Sequence, residues 1–121
     1  MTHFINLFLM SDFRYWSGTK HLPKEVAEAI KGKTLRFEFD SYPVYINHRC
    51  RECCADLEIG NNPSLRELAA RMLGALRKVY DEYLPKDGTA GVEVFHNFDD
   101  LSLEGIEIDT EALKVRMCIG S

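Results

Sequence analysis

Apolar and polar residues alternate with a period of two in several stretches of this chain, and each stretch predicts a strand. Leu35-Arg36-Phe37-Glu38-Phe39-Asp40 alternates without a break. That is the pattern of a half-buried strand with Leu35, Phe37 and Phe39 facing a core. Tyr42, Val44 and Ile46 continue the rhythm after a turn expected near Asp40-Ser41. Proline has no N–H for a ladder, so Pro43 predicts that this second strand lies at a sheet edge or begins at Pro43. Cys53, Ala55, Leu57 and Ile59 alternate with Cys54, Asp56 and Glu58, and Gly60-Asn61-Asn62-Pro63 ends the run. Three more candidates follow Asp87-Gly88. Val92, Val94 and His96 share one phase. Leu101, Leu103, Ile106 and Ile108 change phase at Gly105, where a bulge restores the register. Leu113, Val115, Met117 and Ile119 alternate cleanly. The short apolar run from Phe4 to Met10 reads as a buried strand.

Between Ser64 and Leu84 the period changes to that of a helix. Leu65, Leu68, Ala69, Met72, Leu76, Val79, Tyr80 and Tyr83 form one apolar stripe. Ser64 and Glu67 have the spacing of a capping box, and Pro85 stops the helix. A shorter helix is predicted over 23–31, with Pro23 in its first turn, Gly32 after its end, and Val26, Ala29 and Ile30 inward. The predicted fold is α+β in a single domain, 1–121: an antiparallel sheet of about five to seven strands, with the long helix (about 64–84) and the short one (about 23–31) packed on it.

Composition narrows the class. The chain has 121 residues, of which 45% are hydrophobic and 28% charged, so it can bury a core without disulfides or metal. Its net charge of −4 is unevenly spread. Residues 1–84 carry 12 Lys or Arg against 11 Asp or Glu, whereas residues 85–121 carry three against eight. An acidic balance argues against direct binding of nucleic acid or of an anionic membrane surface. No stretch reaches the roughly 20 apolar residues of a membrane span. Phe4–Met10 resembles a signal h-region, yet it has no basic residue before it and no small-residue cleavage site after it. The expectation is a cytoplasmic protein with reduced cysteines.

The most distinctive local feature is His48-Arg49-Cys50-Arg51-Glu52-Cys53-Cys54. Zinc takes four tetrahedral nitrogen or sulfur ligands, and His48, Cys50 and either Cys53 or Cys54 supply three candidates. The fourth would be Cys118 or His96, distant in sequence, and a second closely spaced ligand pair is missing. Arg49 and Arg51 favour a thiolate at Cys50. A redox C-x-x-C, however, sits at a helix N-terminus, and here a strand follows. The commoner reading is thiols acting as small hydrophobes, with no cofactor. His96 with Asp99 or Asp100 could form a base and its orienting group, but His96-Asn97-Phe98-Asp99-Asp100 is also plain turn composition. There is no nucleophile elbow and no glycine-rich phosphate loop.

Two surfaces remain as partner-binding candidates. With the apolar positions of 101–119 inward, Glu107 and Asp109 fall on the opposite face, with Glu104 near the bulge. Glu93 is expected to join them from the preceding strand, with Asp99 and Asp100 at one end. Such clustered carboxylates suit a basic protein partner. The segment carrying Tyr15 and Trp16 is rich in residue types found at binding hot spots, although Trp16 could equally lid the core. The sequence therefore predicts a small acidic binding or inhibitor module, more a binder than an enzyme, that blocks a basic surface such as the nucleic-acid site of a nuclease. Immunity and anti-defence proteins have this character. The alternatives are a zinc- or thiol-dependent enzyme or regulator centred on His48, Cys50 and Cys53, and a homodimer formed through a sheet edge.

Overall fold

The computed structural model describes residues 1–46, 49–83, 92–94 and 98–120; the side chains of 39–46, 49–53, 79, 80, 82, 83, 92–94 and 98 fall outside that description. The strands are β1 (Thr2–Met10), β2 (Trp16–Gly18), β3 (Thr34–Ile46), β4 (Arg49–Glu58), β5 (Val92–Val94), β6 (Ser102–Asp109) and β7 (Lys114–Gly120). The helices are α1 (Lys24–Ile30) and α2 (Leu65–Tyr83), and a 3-10 turn spans Phe98–Asp100. Six strands lie in the order β2-β1-β6-β7-β3-β4, and β5 pairs separately with β3. The class is α+β.

The sheet is mostly antiparallel. One pairing is parallel, that of β3 with β7, where Arg36 and Phe37 register with Lys114 and Val115. Parallel neighbours need a long crossover, and everything from β4 to β6 lies between these two strands. The chain also crosses from β1 at one side of the sheet to β3 near the other, and the β6–β7 hairpin fills the gap between them.

Pro43 lies inside the sheet, within one continuous strand, rather than at an edge or a strand start. The β3–β4 register is interrupted between Asp40 and Tyr45, and Pro43 occupies that interruption, where no ladder N–H is required. The expected turn at Asp40-Ser41 is the same irregularity. Trp16 to Gly18, for which the alternation pattern predicts no strand, forms a short edge strand against Leu7–Leu9. Gly18 has φ +81°, and a Cβ there would lie 3.0 Å from the Cα of Leu7, so glycine suits the position.

The inner face of the sheet carries Ile5, Leu7 and Leu9 of β1, Leu103, Ile106 and Ile108 of β6, Val115, Leu35, Phe37 and Leu57, all buried. They form one core with Val26 and Ile30 of α1 and with Leu65, Leu68, Ala69, Met72, Leu73 and Leu76 of α2. Each of the larger side chains contributes about 1.5–3 kcal/mol on burial. The Ser64 Oγ accepts the Glu67 N–H at 3.1 Å, half of the predicted capping box. The bulge expected at Gly105 is present: the β6–β7 register shifts between Leu103 and Gly105. With both helices under one face, the other face of the sheet is left open among the described residues.

Candidate functional site

The open face divides into two regions. The first is centred on Glu38 of β3. Arg36 Nε lies 3.4 Å from its carboxylate, Lys114 Nζ 3.3 Å and Arg116 Nη2 3.5 Å. The hydrogen bond from Lys114, with the charges of Lys114 and Arg116, holds the Glu38 carboxyl below the usual carboxylate range. Arg36 also reaches the exposed Cys54, with Nη2 3.3 Å from Sγ. Three cations thus surround one carboxylate here, and the exposed Asp56 lies across the ladder from Arg36.

The second region lies on β1 and β6. Along β1, Ile5, Leu7 and Leu9 point into the core, so Phe4, Asn6 and Phe8 point outward. Phe4 is 61% exposed and Tyr15 57%. Tyr15 packs edge-on against Phe8, with ring centroids 5.9 Å apart. Glu107 is the cross-strand partner of Phe4, and Glu104 sits in the bulge beside it. Both carboxylates are exposed, and the Ser102 hydroxyl lies 3.4 Å from Glu104 Oε1. This region thus presents two exposed aromatic rings, with Glu107 across the ladder from Phe4 and Glu104 in the adjoining bulge.

The predicted acidic cluster is only partly assembled. Glu104, Glu107 and Asp109 do share the outward face of β6. Asp109, however, closes the β6–β7 turn: its Oδ1 accepts the N–H groups of Glu111 and Ala112, each at 3.0 Å. These bonds, the Ala112 one foremost, hold the Asp109 carboxyl below its usual range. Opposite Glu107 and Asp109 stand Arg116 and Lys114, so the face alternates in sign. Glu93 does not join from a neighbouring strand, because β5 pairs with β3 whereas β6 lies between β1 and β7. Asp99 and Asp100 precede β6 at the end opposite Asp109, about 25 Å away along the strand. Asp99 turns toward the helix layer, 3.8 Å from Arg77 of α2.

No protein-family model, curated protein or solved structure matches the chain.

Trp16 packs against the core, edge-on to Phe13 at 6.4 Å, and its indole N–H donates to the Thr19 carbonyl at 3.0 Å. Tyr15 is the outward member of that pair. Of the candidate zinc ligands, His48 and His96 lie outside the described residues. Cys50 and Cys53 are on β4, registered with Tyr45 and Phe39. Cys118 is exposed on β7, and β3 runs between β7 and β4. Two strand spacings, about 9.6 Å, therefore separate β7 from β4, and Cys50 lies farther still along the strand. Among the described residues no three His, Cys, Asp or Glu side chains gather as metal ligands, and no helix is long and apolar enough to cross a membrane.

The apolar run Phe4–Met10 predicts a wholly buried strand, whereas Phe4 is exposed and Phe8 only half-buried. The signal was present: Ile5, Leu7 and Leu9 fix the inner phase, and period-two alternation then leaves Phe4 and Phe8 outside.

Proposed function

We propose that the protein is a binding module whose open sheet face docks on a basic protein surface, in the manner of an inhibitor. The observation that carries this reading is the exposure of Phe4 and Tyr15 on the region of the face that also carries Glu104 and Glu107, with no covering layer among the described residues. Exposed aromatics supply contact area at low entropic cost, and adjoining carboxylates select a positive partner and steer its approach. A basic nucleic-acid site on a nuclease is one surface of that chemistry. The acidic component lies in Glu104 and Glu107 rather than in all the carboxylates of the C-terminal third, because Asp109 and Asp99 have structural partners.

The test is capture from lysates of the source organism and its antagonists at low and high salt, followed by affinity measurement on the isolated partner. The reading predicts a stoichiometric basic protein whose binding weakens with salt. Glu104→Lys with Glu107→Lys, and separately Phe4→Ala, should each weaken binding at least about tenfold while circular dichroism stays unchanged. Asp109 is left intact because its substitution would disturb the turn. An affinity unmoved by both variants would refute the reading.

A further inference from the structure

The direction of the backbone groups in β1 points to how such a partner binds. Asn6 O accepts the Thr19 N–H and Met10 N donates to Tyr15 O, so even-numbered residues of β1 turn their backbone groups toward the β2 side. Met1 O accepts the Thr110 N–H, which sets odd-numbered residues toward β6. By this alternation the N–H and C=O of Thr2 and Phe4 face the β2 side. β2 itself covers only Leu7 to Leu9, and the chain leaves this edge after Thr19. Among the described residues no strand lies beside Thr2 and Phe4. The residue whose backbone is open at the edge is thus the residue whose ring is exposed on the face.

We infer that β1 accepts an extended, basic segment of the partner as an added strand alongside Thr2 to Ile5, in line with β2. This inference rests on the binding reading above and specifies the partner's chemistry. Main-chain bonds to Thr2 and Phe4 would give affinity, and alternate side chains would give selectivity. Glu107 lies across the ladder from Phe4, Asp109 lies across from Thr2, and Glu111 follows in the turn. Asp109 and Glu111 are already engaged by the Met1 ammonium, at 4.0 and 3.1 Å, so lysine or arginine side chains on the outward face of the incoming strand would meet Glu107 over the Phe4 ring. A second copy of the chain fits less well, since two molecules of net charge −4 repel.

The probes are three capped peptides: one alternating Lys and Val, one alternating Glu and Val, and the Lys–Val peptide N-methylated at alternate residues. N-methylation keeps the charge and removes strand pairing. The expected result is binding of the Lys–Val peptide alone, with amide exchange at Thr2 and Phe4 slowed at least about tenfold and Ile5 unchanged. Equal binding of the N-methylated peptide would overturn strand addition. If Glu104→Lys with Glu107→Lys then weakened both Lys peptides, the face reading would stand without the edge. Equal binding of the Glu–Val peptide, no binding of any peptide, or protection of Thr2 and Phe4 that rises with protein concentration alone would each overturn the inference. The face reading itself would still be judged by the affinity of the captured partner.

Discussion

The ring of Phe4 lies over Gly105, its Cζ 2.7 Å from where a Cβ of residue 105 would stand. A glycine in a central strand leaves a gap in the pleated surface, and here an aromatic ring from the next strand fills it. The same ring is the most exposed large aromatic among the described residues of the sheet, so one contact ties the stability of β6 to the surface proposed to bind.

Gly105→Ala should be tolerated, because the atom that must yield is the tip of an exposed ring rather than backbone. The Phe4 ring resonances should shift, and a double-mutant cycle with Phe4→Ala should give a coupling of about 0.5–1 kcal/mol by urea denaturation. A coupling of zero would mean that the ring does not rest on residue 105 in solution.

Phe37 is fully buried at the centre of the core. Phe37→Ala should cost about 3–5 kcal/mol, a large part of what a domain of this size possesses. The urea midpoint should fall accordingly, and a loss below about 1 kcal/mol would contradict its place between sheet and α2.

The Ser64 hydroxyl satisfies the N–H of Glu67 at the start of α2. Ser64→Ala should therefore destabilise the protein by about 1 kcal/mol, and Ser64→Asp should restore most of that loss. Thermal unfolding of the three proteins would show it.

Asp109 and Glu38 both have carboxyl pKa values lowered by folding, the first chiefly by the Ala112 N–H and the second chiefly by the hydrogen bond from Lys114. A depressed folded value means the stabilisation is complete above the ordinary carboxylate pKa of about 4 and is lost as pH falls through the folded value. Stability should decline below about pH 4, and Asp109→Asn should flatten part of that acid limb while still accepting the turn's N–H groups. Urea midpoints across the acid range would test it; an unchanged slope in Asp109→Asn would place the loss elsewhere.

Local periodicity made much of the fold legible. The long helix, its Ser64 cap, the strand of Leu35 to Asp40, the bulge at Gly105 and the outward placement of Glu104, Glu107 and Asp109 all follow from patterns spanning fewer than about twenty residues. Hydrophobic phase decides which side of an element faces the core, and that is a property of neighbours in the chain. The outward phase of Phe4 and Phe8 was legible on the same grounds.

Neighbours across the sheet were not legible. That β3 runs parallel to β7, that Pro43 sits inside the sheet at a register interruption, and that β5 pairs with β3 rather than β6 depend on contacts between segments far apart in sequence. Strand pairing through backbone hydrogen bonds is nearly blind to side-chain identity, so composition does not encode which strands meet. The same holds for the charges. Only the assembled sheet set Lys114 and Arg116 beside Glu38 and drew Asp99 toward Arg77. Glu104 and Glu107, beside the exposed ring of Phe4, are left as the acidic part of the β1–β6 region of that face.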